Sequence, residues 1–259
     1  MVNEERAVEK VPALAMDDLA TQVATKHATE MAMHEFASHW GRDGLKPYHR
    51  YSFAGGTDAT QENVSAADNT WSNNMDLLKQ DTSYLHVRLY QEKPPNDGHR
   101  KNILIPTHNR LGVGLARAKA LEGESSPPLC VAQEFVDVFG KYDELPKTAR
   151  AGQSITVAGR VDAPVEFRGV GIALGPLPDE LYASDLNSTS TYLMPVPYAT
   201  YFPKGFVTPK EVKLENGRFS IELKLDRGAG RYAVSVWGRF PSSENNELAM
   251  VSLRTILVR

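Results

Sequence analysis

Cysteine is almost missing from this chain of 259 residues: Cys130 stands alone. No disulfide can therefore form within the chain, and no cysteine-based zinc ribbon can be built. Cys130 sits in the apolar run Leu129-Cys130-Val131-Ala132, which reads as a strand, so a buried, inert thiol is expected rather than a reactive one. Long apolar runs are missing too, and none approaches the roughly 20 residues of a membrane helix. There is no excess of positive charge. The formal net charge is -3 and basic residues form no long run, which leaves no electrostatic footprint for nucleic acid. The first residues, Met1-Val2-Asn3-Glu4-Glu5-Arg6, are charged where a secretory leader carries an apolar stretch. Either the protein is cytoplasmic or a leader has been removed. What is present, 41% hydrophobic and 24% charged residues, suits a soluble globular protein of one large domain or two modest ones.

The two halves differ in period. From Met16, apolar residues fall at Met16, Leu19, Ala20, Val23, Ala24, Ala28, Met31 and Ala32, the spacing of one helix face. Asp17 or Asp18 can cap this helix. A second helix is expected over Met75 to Tyr90, broken by Pro94-Pro95-Asn96-Asp97-Gly98. Strands are expected at Gly112 to Ala116 and Leu129 to Phe139, joined by a hairpin-type excursion through Gly123 and Pro127. After about residue 145 the alternation typical of half-buried strands takes over, in Ser154 to Ala158, Phe219 to Leu225, Tyr232 to Trp237 and Val251 to Val258. Asn216-Gly217 is a hairpin turn signal. This half reads as an antiparallel β-sandwich of roughly seven strands. The expected domains are residues 1–145 and 146–259, with the Pro-rich stretch 176–209 as a long loop or irregular edge.

Three segments of the first half carry potential chemistry. The first helix is expected to end in Phe36-Ala37-Ser38-His39; Gln61-Glu62-Asn63-Val64 follows a glycine-containing loop; Gly98-His99-Arg100-Lys101-Asn102 precedes the strand from Leu111 to Ala116. With the later Gln133-Glu134-Phe135, their order and spacing resemble the signature blocks of the CAP superfamily (cysteine-rich secretory protein, antigen 5, pathogenesis-related-1) in its disulfide-free bacterial form. The resemblance spans roughly residues 10 to 140. It implies an α+β protein: a three-layer α-β-α sandwich with an open cleft, followed here by an immunoglobulin-like or fibronectin-like all-β module. It also implies two histidines and two acids facing the cleft, matched by His39, Glu62, His99 and, in Leu89-Tyr90-Gln91-Glu92, Glu92. The sequence departs from the family pattern at Leu89, where a tryptophan is usual, and at Gln61, where glycine is usual.

Neutral imidazoles from separate elements can converge on zinc or another divalent cation, with carboxylates orienting the rings. Three functions are compatible with this set. The first is an extracytoplasmic, non-enzymatic module whose cleft binds a divalent metal or small ligand, with cell-wall, lipid or protein partners. The second is a zinc-dependent hydrolase of peptide or ester bonds, with His39 and His99 on the metal and Glu62 and Glu92 as the catalytic acids and bases. The third is a structural interaction protein whose cleft is idle. His34-Glu35 is not a zincin motif, because Ser38 stands where the second histidine belongs. His27 reads as a core histidine, and His49, His86 and His108 as structural or solvated, with the rim of the cleft a second possibility for His108. Trp237 reads as core, and Tyr192, Tyr198, Tyr201 and Phe202 as a candidate aromatic patch on the second domain.

Overall fold

The computed structural model describes residues 1–67, 75–118, 128–189, 191–241 and 247–259. Most of the excursion expected between the strands at 112–116 and 129–139 lies outside the described residues. In chain order the elements of the first half are α1 (Val2–Val8), β1 (Ala15–Met16), α2 (Asp18–His34), α3 (Pro47–Ala54), β2 (Ala59–Ala67), α4 (Met75–Tyr90), α5 (Gly98–Ile103), β3 (Arg110–Arg117) and β4 (Leu129–Asp137). Those of the second are β5 (Gly140–Tyr142), β6 (Thr148–Ala149), β7 (Ser154–Val161), β8 (Glu166–Gly175), α6 (Ala183–Asn187), β9 (Ala199–Tyr201), β10 (Lys213–Glu215), β11 (Arg218–Lys224), β12 (Gly230–Arg239) and β13 (Ala249–Val258). The fold is α+β. Two compact units emerge: Met1–Pro47 with Thr60–Val136 and Asp179–Tyr192, and Tyr48–Ala59 with Asp137–Pro178 and Leu193–Arg259.

The first unit is built on a sheet of order β1-β3-β4-β2. Alternation along β4 sends Cys130 and Ala132 into one cluster with Ala24, Ala28 and Met31 of α2. Leu129 and Val131 pack instead with Leu85 of α4, and Phe135 with Leu89 of α4 and Ile103 of α5. Successive strand residues point to opposite faces, so helices cover both, and every residue of β4 is buried. Helix α2 buries the expected face, with Ala20, Val23, Ala24, His27, Ala28, Met31 and Ala32 inward. The Asp17 side chain accepts from the Ala20 N–H, satisfying one otherwise orphaned donor. Gly112 and Gly114 let this helix lie close, since a Cβ at either would stand 2.1 or 2.2 Å from α2 backbone atoms.

The second unit holds two sheets, β10-β11-β7-β5 and β6-β13-β12-β8-β9. Among the described residues that is nine strands in place of the seven expected, and β6 pairs with β13 in parallel. Short pairings such as Thr148–Ala149 leave no periodic trace in a sequence. One apolar cluster joins the two sheets, including Val157, Ile172, Phe219, Ile221, Tyr232, Val234 and Ile256. Asn216 and Gly217 adopt φ of 52° and 74°, as a tight hairpin turn with both central residues left-handed requires. Trp237 is half-buried rather than core, its Nε1–H donating to Ser235 Oγ at 2.8 Å.

Candidate functional site

His39 is not on the helix that leads to it. α2 stops at His34, Glu35 takes the left-handed conformation (φ 54°), and His39 follows on the loop beyond. Glu62 lies on β2, the edge strand of the sheet. His39 Nδ1 stands 3.0 Å from Glu62 Oε1. An ionised carboxylate can only accept, so a neutral His39 paired in this way carries its proton on Nδ1 and its lone pair on Nε2.

The second pair repeats this arrangement from the other helical layer. His99, in the first turn of α5, places Nδ1 2.6 Å from Glu92 Oε1, while Glu92 Oε2 accepts the His99 backbone N–H at 2.9 Å. Glu92 thus both orients the imidazole and satisfies a donor of the first helical turn. The His39 and His99 rings are tilted 37° to each other with centroids 5.8 Å apart. All four residues singled out in the sequence, His39, Glu62, His99 and Glu92, therefore meet in one place.

Polar residues behind the site hold it in register. Asn63, next to Glu62 but on the opposite face of β2, donates from Nδ2 to the His99 carbonyl at 3.1 Å. Its Oδ1 accepts from Asn102 Nδ2 at 2.9 Å, and Asn102 Oδ1 pairs with His108 Nε2 at 3.0 Å. His108 is buried, stacked on Phe135, and so is part of this internal chain and not of the cleft rim. His27 is fully buried, with Nε2 2.8 Å from the Ser38 carbonyl. His86, likewise buried, bridges Glu5 at 2.6 Å and Gln133 at 2.9 Å.

The two histidine–carboxylate pairs differ in access. The His99 and Glu92 side chains are 30% and 23% exposed, whereas those of His39 and Glu62 are 9% and 0% exposed. A groove of about 560 Å³ leads to His99 and Glu92, lined also by Ala37, Ser65, Arg88 and Gln91. Over the inner pair sits Tyr192. Its hydroxyl accepts the Glu62 backbone N–H at 3.1 Å, and its ring meets His39 edge-on at 5.0 Å. Sequence reasoning groups Tyr192 with the aromatics of the second half, yet the residue belongs to the first unit. Nothing in its local sequence marks that return. Among the described residues no group of three or more His, Cys, Asp or Glu side chains could hold a metal ion.

Comparison with known proteins decides the lineage. The sequence profile of CAP, the cysteine-rich secretory protein family, matches residues 1–135. The chain belongs to the CAP family. The match contains all four cleft residues but ends well before Tyr192. No curated protein matches the chain. Among solved structures, an extracellular protein containing a SCP domain from Bacillus anthracis str. Ames is similar at 20% identity, over 52% of this chain and 37% of its own length, with a TM-score of 0.35. The alignment thus spans little more than a third of that protein. An outer surface protein from Borrelia burgdorferi is similar at 15% identity, over 52% of this chain and 86% of its own, with a TM-score of 0.37. A chitin binding domain from Burkholderia pseudomallei is similar at 15% identity, over 44% of this CAP protein and 57% of its own length, with a TM-score of 0.29. No helix among the described residues is long and apolar enough to cross a membrane.

Proposed function

We propose that this CAP protein is an extracytoplasmic binding module whose His/Glu cleft takes a divalent cation, zinc being the best match, or a small ligand in its place. The supporting observation is the paired orientation of the imidazoles. Each Nδ1 is committed to a carboxylate, and the rings stand 5.8 Å apart. Carboxylate–histidine pairing of this kind raises ligand basicity and fixes the tautomer in which Nε2 can coordinate. Two imidazoles sharing a zinc ion at about 2.0 Å place their centroids roughly 5–6 Å apart, so the donor set fits a cation held by two protein nitrogens. With no third protein ligand gathered among the described residues, water or a ligand group would complete the shell, and affinity is expected to be modest. When bound, the ion would supply Lewis acidity and electrostatic attraction for an oxygen-bearing ligand.

The hydrolase reading has less support. The Glu62 carboxylate is fully buried and engaged with His39, which suits an orienting partner better than a base that meets water and substrate. Extracytoplasmic placement rests on family membership. A cell-wall, lipid or protein partner is the corresponding expectation.

Zinc titration of metal-stripped protein by calorimetry tests the reading. About one saturable site per chain is expected, lost in both His39→Ala and His99→Ala, and weakening on acidification because protonated imidazole has no lone pair to give. Absence of saturable binding in the unmodified protein would reduce the four residues to a hydrogen-bonded scaffold.

A further inference from the structure

A segment that lies beyond the family match packs against the inner histidine–carboxylate pair. Asp179–Tyr192 leaves the sandwich half of the sequence and joins the first unit. Leu186 of α6 is fully buried in the cluster with Met31 and Phe36. From there the segment follows the loop that carries His39. The Ala37 N–H donates to Asn187 Oδ1 at 3.0 Å, and Asn187 Nδ2 donates to the Glu35 carbonyl at 3.3 Å. Ser38 Oγ donates to the Thr189 carbonyl at 3.2 Å and Trp40 Nε1 to that of Thr191 at 3.1 Å. The Leu181 N–H donates to the Arg42 carbonyl at 2.8 Å. A loop leaving a helix has backbone and side-chain polar groups to satisfy, and here the segment supplies their partners on both sides of His39. It ends with Tyr192 across His39 and Glu62.

We infer that Asp179–Tyr192 is a strap that completes the cleft from outside the CAP sequence: it positions His39, and Tyr192 covers the His39–Glu62 pair so that ligands meet the site from the His99–Glu92 side. The inference rests on the binding reading for its biological meaning, but not for its geometry. Tyr192 is a positioning and access-determining residue. Its ring shields the imidazole edge-on, an arrangement favoured between aromatic rings, and its hydroxyl fixes the backbone of Glu62. The strap makes the two otherwise matched pairs unequal. One is exposed on a groove and the other is held in reserve beneath an aromatic cover. A ligand approaching along the groove would therefore engage His99 first and reach His39 only from the far side of the shared centre.

Carbethoxylation of histidines, followed residue by residue by mass spectrometry, reads this directly, with exposed His34 as the reference for reagent. In the unmodified protein His99 is expected to react about tenfold faster than His39, the difference reflecting local opening of the cover. Tyr192→Ala is expected to raise the His39 rate about tenfold, leaving His99 unchanged, while Tyr192→Phe, which keeps the ring, preserves protection. His27, His86 and His108 must stay protected throughout, since a general loosening would expose them as well. Should Tyr192→Ala open those three, Asn187→Ala, at the surface of the strap, serves instead and is expected to raise His39 reactivity alone. Equal reactivity of His39 and His99 in the unmodified protein, or a His39 that stays protected when the ring is gone and the fold intact, overturns the strap. Zinc calorimetry on the same proteins separates the two readings. Zinc binding absent from all of them removes the metal, whereas the carbethoxylation ratio still decides the cover.

Discussion

The two units of this protein are stabilised by different means. The sandwich unit rests on one continuous apolar cluster, in which Val157, Val170, Val234, Val236 and Ile256 are almost completely buried. The CAP unit has smaller apolar clusters separated by buried polar side chains: His27, Asn63, His86, Asn102, His108, Gln133 and Arg6. Arg6 is the extreme case. It is fully buried and donates to the carbonyls of Pro12, Ile103, Ile105 and His108 at 2.6 to 3.1 Å. Apolar burial is non-directional and tolerates repacking. A buried polar network is directional, and each missing partner leaves a desolvated group behind. The CAP unit accordingly holds side chains at fixed distances, as its cleft requires, while the sandwich, although it also buries Arg231 and Arg254, rests more on shape and hydrophobicity.

This contrast is open to direct test, beginning with the largest effect. Ile256→Ala, which empties volume in the closed sandwich core, is expected to cost about 4 kcal/mol in urea unfolding. A cost under about 1 kcal/mol would mean that the sandwich core repacks freely. Arg6→Met keeps the length and apolar stem but strips four carbonyls of their donor, and about 3 kcal/mol is expected, read from the helical circular dichroism signal. The sharpest comparison is with Arg254 in the sandwich. Burial pushes its guanidinium down to about 10. Its Nη1 donates to the Asp143 carbonyl at 2.7 Å, but Nε and Nη2 lack hydrogen-bond partners among the described residues. Arg254→Met is therefore expected to change stability by less than about 1 kcal/mol, or to raise it, because the uncompensated desolvation disappears with the charge. If both arginine variants cost the same, partner satisfaction is not what distinguishes the two units.

Much of the scaffold is legible in the sequence. The period of Ala20 to Ala32 gives α2 its inward face, Met75 to Tyr90 is helical as α4, and Asn216-Gly217 marks a turn that forms as expected. These features are local, set by helical or strand period and by backbone conformational preference. The four cleft residues are recognisable because their blocks keep a characteristic order along the chain. The end of α2 is not legible, since the left-handed turn at Glu35 is made by a residue with no strong preference for it. His108, structural or at the rim by its sequence, is buried behind the site and bonded to Asn102, a pairing that no local pattern marks.

By itself, then, the sequence determined the two textures of the chain, the exclusion of disulfides, the principal helices and strands, and the identity of the histidines and glutamates that meet. Only the tertiary structure decided that the two pairs are unequal, that Asn63, Asn102 and His108 brace α5 from within, and that Tyr192 returns from far along the chain to lie over His39 and Glu62. The physical reason is range. Period and turn chemistry act between near neighbours, whereas a buried polar atom can take its partner from anywhere in the chain, and the choice leaves no pattern in either local sequence.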